Sequence, residues 1–264
     1  MGMEMGSADK KIILSFIALL FFLGIIFISY RIWVGLASVI AILMMIHLTN
    51  GFNRFVISTF IAFLVSFLLY QLTNAVVNSF EISRELKVLI NRGLLLMIFL
   101  GLCIANLSLN KKISFFNHKP KWSQSISLPL HTIKLSSFML IGLMISGITF
   151  LPFILQQDPV FIKSILLFAI LFSIINTTLE EMIWRGIMLS NLREHMSMMN
   201  AVIITSIGFG LLHLVVEIPF MISLLFSFGG LFYGMVVIKS NSIYPAILLH
   251  FVVNLGMVLS GFIL

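Results

Sequence analysis

The chain has 264 residues, of which 60% are hydrophobic and 9% charged, and its mean hydropathy is +1.16. Soluble domains carry about 25% charged residues, so this composition excludes an ordinary water-soluble protein. Repeated apolar runs of about eighteen residues or more instead predict transmembrane helices. The formal net charge of +7 is therefore interpreted mainly as a signal of membrane topology.

Long apolar runs between polar breaks predict an all-α, polytopic transmembrane helical bundle of about eight to nine spans. The first run is expected to stay as a span because no small-x-small cleavage site follows it. The count falls to eight if "YRI", between the first two runs, is not a turn. The candidate spans are 12–29, 32–49, 55–79, 88–107, 136–156, 162–189, 199–216, 219–238 and 243–263.

Basic residues are distributed unevenly among the connections between these spans. With nine spans and a cytoplasmic N-terminus, the outer connections hold Arg31, Arg84, Lys87 and Lys163. The cytoplasmic segments hold Lys10, Lys11, Arg54, Lys111, Lys112, Lys119, Lys121, Lys134, Arg193 and Lys239. The positive-inside rule then predicts a cytoplasmic N-terminus. Arg92, a few residues into its span, is expected to snorkel to the outer surface and to need no function.

The polar connection 108–135 divides the chain into residues 1–135, with the N-terminal spans, and residues 136–264. This connection is basic and contains Phe115, Phe116 and Trp122, a composition that also occurs in nucleic-acid-binding segments. Contact with the anionic inner leaflet explains the same residues. The second interpretation is preferred, so the lipid bilayer is an expected partner and nucleic acid is not.

A few ionisable and polar residues lie deep inside the later spans, where they are costly and usually face a protein interior or a water-filled cavity. Glu181 and Arg185 are i,i+4 neighbours that can neutralise each other, whereas Glu180 points about 100° away from Glu181. The i,i+4 spacing also places one histidine and an asparagine on one helix face. The full set is Glu180, Glu181, Arg185, His213, His250 and Asn254.

These residue types suit hydrolysis by an activated water molecule. A carboxylate shielded from water is a stronger proton acceptor near neutral pH, and a histidine beside it can orient the water. A second histidine and an asparagine amide can donate hydrogen bonds to an oxyanion. The chain has no G-x-S-x-G motif, and Cys103 has no positioned base. The alternative is that the same groups form a polar lock between helices.

Three short segments resemble the motifs of a known family. "EEMIWRG" (180–186), "FGLLH" (209–213) and "HFVVN" (250–254) are similar to the EExxxR, FxxxH and HxxxN motifs of the CPBP family. That family comprises CAAX proteases and bacteriocin-processing enzymes, is also called Abi, and includes the type II CAAX prenyl endopeptidases. The resemblance covers roughly 160–258. It implies an intramembrane endopeptidase whose catalytic core is the region 136–264.

The resemblance also implies a role for each motif residue. Glu180 would be the general base, and His213 would help to activate the water. Glu181 and Arg185 would support the site, while His250 and Asn254 would form the oxyanion hole. The family is often labelled metalloprotease, yet the chain lacks H-E-x-x-H, the motif by which zincins bind their metal. No cofactor is therefore expected, and the alternative is zinc held by Glu180, His213 and His250.

The expected substrate is a membrane-associated peptide or protein in a bacterial cell membrane, such as a pheromone or bacteriocin precursor. A second hypothesis is a non-cleaving interaction, regulatory or bacteriocin-immunity protein on the same fold. A transporter or proton relay is a third, but no internal repeat or pair of broken helices supports it.

Overall fold

The computed structural model describes residues 7–49, 54–127 and 131–263, and these form mostly helices. A π-helical segment (Met182–Met188) joins α7 to α8, and a 3-10 turn (His213–Val216) continues α9. Two short antiparallel strands, β1 (Ser125–Ser127) and β2 (Thr132–Lys134), precede α6. The helices are α1 (Ser7–Ser29), α2 (Trp33–Thr49), α3 (Arg54–Asn78), α4 (Arg84–Gly93), α5 (Leu95–Ser108), α6 (Leu135–Ile154), α7 (Pro159–Glu181), α8 (Leu189–Arg193), α9 (Met198–Leu212), α10 (Phe220–Ser240) and α11 (Tyr244–Leu259).

The predicted spans coincide with these helices. Within the described ranges, seven helical stretches are long and apolar enough to cross a membrane, and two further apolar helices, α2 and α11, are shorter. Helices α4 and α5 together form one of the seven stretches, Arg84–Ser108. Helix α7, the π-helical segment and α8 form another, Pro159–Arg193. The all-α polytopic bundle expected from the apolar runs is therefore confirmed.

Polar caps fix the starts of two helices that carry motif residues. At α7, Asp158 Oδ1 accepts a hydrogen bond from the amide of Val160 at 2.7 Å, and Pro159 occupies the first turn. At α9, Ser197 Oγ accepts from the amide of Asn200 at 3.3 Å. Each cap satisfies an amide that the first helical turn leaves unpaired. The registers of these two helices are thereby set from their first residues.

Large aromatic side chains pack where α1, α3 and the π-helical segment meet. The Phe21 and Phe60 rings stack at 4.2 Å, and the Trp184 ring lies 5.0 Å from that of Phe63. All four side chains are fully buried. Helix α6, by contrast, exposes most of its apolar side chains, as expected of a helix that faces lipid. The π-helical segment that follows the two glutamates therefore packs on an aromatic core.

Helices α9 and α10 approach each other closely through glycines. A Cβ atom on Gly230 would lie 2.8 Å from Ser206 Cα, and one on Gly210 would lie 2.6 Å from the Ser223 carbonyl oxygen. Such distances leave no room for a side chain. Small residues are the usual means of close helix packing in membranes, and here they bring the α10 backbone near the motif residues.

The connection between α5 and α6 is held against one end of the bundle. The amide of Ile243 donates to the Phe116 carbonyl at 2.9 Å, and Ser242 Oγ donates to the His118 carbonyl at 2.7 Å. The guanidinium of Arg193 lies 4.4 Å from the centre of the Phe116 ring. Because Phe116 is buried in these contacts, its ring is not an exposed stacking surface.

Candidate active site

The six predicted site residues come from three neighbouring helical stretches. The two glutamates end α7, and the arginine follows in the π-helical segment. One histidine starts the 3-10 turn after α9, while the other histidine and the asparagine lie one turn apart on α11. All but His213 are at most 6% exposed, and His213 is partly buried. The set is Glu180, Glu181, Arg185, His213, His250 and Asn254.

Glu181 links three helical stretches through one carboxylate oxygen. Its Oε1 accepts hydrogen bonds from Arg185 Nη1 at 2.8 Å and from His250 Nδ1 at 2.9 Å. Arg185 Nη2 donates to the Gly230 carbonyl at 3.1 Å, and the guanidinium lies 4.5 Å from the centre of the Phe209 ring. The i,i+4 pair expected for Glu181 and Arg185 is therefore present, and it holds α7, α10 and α11 together.

Glu180 is buried beside these groups but is held less tightly. Its Oε1 lies 3.7 Å from Arg92 Nη1, and its Oε2 lies 3.6 Å from His250 Nε2. Both distances exceed those of a normal hydrogen bond, and Oε2 has no hydrogen-bond partner in the described part of the chain. A buried acceptor left unpaired is costly. This oxygen is therefore positioned to accept a hydrogen bond from a ligand or a water molecule.

Arg92, which the sequence predicts to snorkel to the membrane surface, is instead mostly buried beside the site. Its side chain is 13% exposed, and its nearest acidic group is the Glu180 carboxylate. The guanidinium also lies 5.8 Å from the centre of the Phe172 ring. Helix α4 packs directly against α7. Arg92 thus finds a carboxylate inside the protein, which is one way in which membrane proteins accommodate a charge in a span.

His213 presents one ring nitrogen as a hydrogen-bond acceptor. Its Nδ1 lies 3.0 Å from the Phe209 carbonyl oxygen, and because a carbonyl can only accept, Nδ1 carries the hydrogen. The neutral ring therefore has its lone pair at Nε2. Stacking on the Phe226 ring at 4.3 Å holds the imidazole in place. Within the described residues, no hydrogen bond or ion pair joins His213 to Glu180.

His250 and Asn254 reach the site from α11. The His250 ring stacks on Tyr233 at 4.6 Å and directs Nε2 toward Glu180. Asn254 Nδ2 donates a hydrogen bond to Thr177 Oγ1 at 3.0 Å. An amide group has two hydrogens, so the second hydrogen of Asn254 is not used in that contact. The geometry leaves both side chains able to bind a further group.

A cavity of about 620 Å³ reaches these residues and is lined by His213, His250, Asn254 and Arg92. The adjoining ends of α3 and α4 also line it, as do residues of the α9–α10 connection and Phe262 beyond α11. In the order of spans these parts lie at the end of the bundle opposite to the α5–α6 connection. Ligand pockets commonly have volumes of roughly 300–1,000 Å³, so this cavity can admit a short peptide segment.

The alternative zinc ligands Glu180, His213 and His250 come from three different helical stretches. Across residues 7–49, 54–127 and 131–263, no three His, Cys, Asp or Glu side chains form a group that could hold a metal ion. The hydrogen bonds of His213 Nδ1 to a backbone carbonyl and of His250 Nδ1 to Glu181 leave Nε2 of each ring free, and bonds of this kind also orient metal-binding histidines. Zinc held by these three residues therefore stays an alternative.

The helix that carries both glutamates changes its hydrogen-bonding pattern directly after them. Residues Met182–Met188 are π-helical, whereas the sequence predicts one regular helix over 162–189. A Cβ atom on Gly186, inside this segment, would lie 3.0 Å from the Phe115 ring, so the wider turn packs closely on the α5–α6 connection. Short π-helical segments are rare and often occur at functional sites.

Sequence reasoning missed three residues that contact the site: Arg92, Thr177 and Tyr233. Thr177 had a usable signal, because it precedes Glu181 by four residues and therefore shares its helix face. Arg92 had a weaker signal, as an ionisable residue within a span. Tyr233 had none, since α10 is apolar on all sides and its periodicity does not indicate which face is buried.

Comparison with known families supports the motif assignment. Residues 161–256 match the family described as "Type II CAAX prenyl endopeptidase Rce1-like". The matched region contains all six predicted residues but not Arg92. The resemblance inferred from the three motifs is thereby confirmed. Neither a curated protein nor a solved structure gave a match.

Proposed function

Because residues 161–256 match the type II CAAX prenyl endopeptidase family, we propose that this chain is an intramembrane endopeptidase that cleaves a membrane-associated peptide or protein. The observation that carries the proposal is the Glu180 carboxylate, which is 1% exposed and has no hydrogen-bond partner at Oε2 among the described residues. Residues 136–264 form the catalytic core in this proposal. Helix α4 contributes Arg92 from the N-terminal region 1–135.

In the proposed reaction, one water molecule donates hydrogen bonds to Glu180 Oε2 and to His213 Nε2. Its oxygen attacks the peptide carbonyl carbon while Glu180 accepts a proton. The carbonyl oxygen becomes the oxyanion of a tetrahedral intermediate. Glu180 then passes the proton to the amide nitrogen, the C–N bond breaks, and a carboxyl group and an amine are released. The steps balance without a covalent enzyme intermediate or a redox partner.

Asn254 and His250 are the proposed donors to the oxyanion. The second amide hydrogen of Asn254 is available because only one is used by Thr177. His250 donates from Nε2 when both of its ring nitrogens are protonated, and Glu181 fixes the ring through Nδ1. Donors of this kind typically contribute about 10²–10³ in kcat.

Substitution of Glu180 by glutamine tests the proposed base. Glutamine keeps the size and polarity of the side chain but cannot accept the proton from water. We expect at least a hundredfold loss of cleavage when purified protein in lipid vesicles is incubated with a peptide library and products are identified by mass spectrometry. Glu194→Gln is the matched control, because that side chain is 51% exposed and pairs with Lys111. Cleavage by Glu180→Gln at the parent rate contradicts the proposal.

The same variant separates cleavage from a non-cleaving role. A regulatory, interaction or bacteriocin-immunity protein keeps its biological activity in Glu180→Gln, provided that the variant folds. An endopeptidase loses it. Retained activity in cells together with an unchanged thermal unfolding midpoint therefore favours the binding role over hydrolysis.

We place the protein in a bacterial cell membrane with its N-terminus in the cytoplasm. The orientation is supported by the larger number of basic residues in the segments on the N-terminal side of the membrane. The cavity then opens at the outer end of the bundle. The substrate in this arrangement is a peptide exposed at the outer half of the bilayer.

A further inference from the structure

One face of α4 supplies positive charge to the wall of the cavity. Arg84, Lys87, Val88, Asn91 and Arg92 all line it. Their spacing of three to four residues places them on a single side of the helix. The face runs from the cavity mouth, where Arg84 is exposed, to Arg92 beside the proposed base.

Arg92 has unused hydrogen-bonding capacity. Its Nε is buried without a partner in the described part of the chain, and its contact with Glu180 is 3.7 Å long. A guanidinium carries five N–H donors in a planar fork that matches a carboxylate. A purely structural arginine at this depth would be expected to have those donors satisfied. The unfilled donors therefore point to a ligand.

The charge around the cavity favours an anion. Among its described lining residues, Arg84, Lys87 and Arg92 are permanent cations, and Glu217 is the acidic residue. Lys87 Nζ donates to the Asn78 carbonyl at 3.0 Å, which leaves its charge unneutralised. Clefts lined mainly by one sign of charge concentrate ligands of the opposite sign.

We propose that this face of α4 is an anion-binding subsite that holds a carboxylate of the peptide substrate. The inference rests on the proposed function, because it assigns a substrate class to the same cavity. Arg84 and Arg92 are eight residues apart, or about 12 Å along the helix axis. An extended peptide advances about 3.3 Å per residue. The carboxylate therefore lies within about four residues of the bond that is cleaved.

The test measures peptide binding to the Glu180→Gln variant, so that hydrolysis does not interfere. The probes are fluorescent decapeptide libraries in phosphatidylcholine vesicles, in matched forms with Asp and Glu replaced by Asn and Gln, and with free or amidated C-termini. We expect acidic peptides to bind about tenfold more tightly than neutral ones. The internal replacement and the C-terminal amide distinguish a side-chain carboxylate from a terminal one.

Two charge-removing variants locate the effect. Arg84→Gln combined with Lys87→Gln is expected to abolish the tenfold preference. Arg31→Gln combined with Lys163→Gln removes the same charge from exposed positions that do not line the cavity, and it is expected to keep the preference. Equal binding of acidic and neutral peptides to the parent, or equal effects of the two double variants, overturns the subsite.

The two proposals fail in different ways. If peptide binding depends on Arg84 and Lys87 but the parent protein shows no Glu180-dependent cleavage, the subsite is supported and the hydrolytic function is contradicted. If cleavage depends on Glu180 but not on acidic residues or the C-terminal charge of the peptide, the proposed function is supported and the subsite is contradicted. Preference for phosphatidylglycerol vesicles in place of acidic peptides assigns the cations to lipid and also overturns the subsite.

Discussion

Arg92 Nη1 lies 3.7 Å from Glu180 Oε1, which joins a helix outside the family match to the proposed catalytic base. This contact orients Oε1, and the other carboxylate oxygen, Oε2, faces His250 Nε2 at 3.6 Å. The immediate surroundings of the base are therefore set partly by the N-terminal region.

Substitution of Arg92 measures that contribution. We expect Arg92→Gln to lower kcat by about tenfold or more, because the carboxylate loses both its charge partner and its orientation. Arg92→Lys keeps the charge but not the planar fork, so it should recover part of the loss. Steady-state kinetics on a peptide cleaved by the parent protein provide kcat and KM separately. Equal kcat in all three proteins contradicts a role in positioning Glu180.

Thr177 is expected to position Asn254. Thr177→Val keeps the side-chain shape and removes the oxygen that accepts from Asn254 Nδ2 at 3.0 Å. The freed amide should misalign, so we expect about a tenfold fall in kcat with a smaller change in KM. Thr178→Val, one residue further along α7, is the control.

A double-mutant cycle makes the Thr177 prediction more specific. Asn254→Ala should remove most of the effect of Thr177→Val, because the two changes disrupt one interaction. Additive losses from the two substitutions show instead that Thr177 acts through another contact.

Arg185 is expected to be the main electrostatic support of the fold at this site. Its replacement by methionine leaves Glu181 as a buried carboxylate without its 2.8 Å partner. Removing one member of a buried pair typically costs about 3–5 kcal/mol. We expect a corresponding loss in the free energy of unfolding in detergent micelles. Adding Glu181→Gln to Arg185→Met should restore part of it, and a single variant as stable as the parent contradicts the expectation.

The glycine contact between α9 and α10 is expected to control the position of Arg185. Gly230→Ala places a methyl group 2.8 Å from Ser206 Cα, which forces the helices apart and displaces the carbonyl that Arg185 donates to. We expect reduced thermal stability and reduced cleavage. Gly229→Ala is the matched control, since its nearest neighbour would be a Tyr233 ring atom at 3.9 Å. Equal melting temperatures for the two variants show that the close approach is not important.

Cysteine labelling tests which end of the bundle faces outward. In a Cys103→Ala background, Arg84→Cys lies at the cavity mouth and Lys119→Cys lies in the α5–α6 connection, and both positions are exposed. A membrane-impermeant maleimide should label Arg84→Cys in intact cells and Lys119→Cys only after permeabilisation. The reverse pattern places the N-terminus and the α5–α6 connection outside.

The sequence predicts the helices and the Glu181–Arg185 pair well because both depend on residues that are close together along the chain. Apolar length identifies a span, and i,i+4 spacing correctly pairs Glu181 with Arg185. Contacts between helices depend on which faces meet. Asn254 and Thr177 are 77 residues apart, and helices that are apolar on all sides give no periodicity from which to pair them.

Arg92 shows why the position of a residue along its own helix does not predict whether its side chain faces lipid, water or protein. It lies near the start of an apolar run, so the distance to the membrane surface appears short on its own helix. Helix α4 has only ten residues before Leu94 separates it from α5, and it packs on α7 rather than facing lipid alone. The π-helical segment is also not predictable from the sequence, because no residue type in 182–188 is specific to a π-helix.

The π-helical segment makes this site sensitive to chain length as well as to residue identity. A π turn accommodates one more residue than an α turn, so deletion of a single residue within Met182–Met188 would allow an uninterrupted α-helix. That deletion would leave later residues near their present orientation, whereas an α-helix formed by all seven residues would rotate every later residue by about 100° relative to the two glutamates. Asn191, which donates to Thr59 at 3.3 Å, would leave its partner. The extra residue of the π turn therefore sets the orientation of α8 relative to the two glutamates, and an insertion in this stretch should be tolerated far less than a conservative substitution.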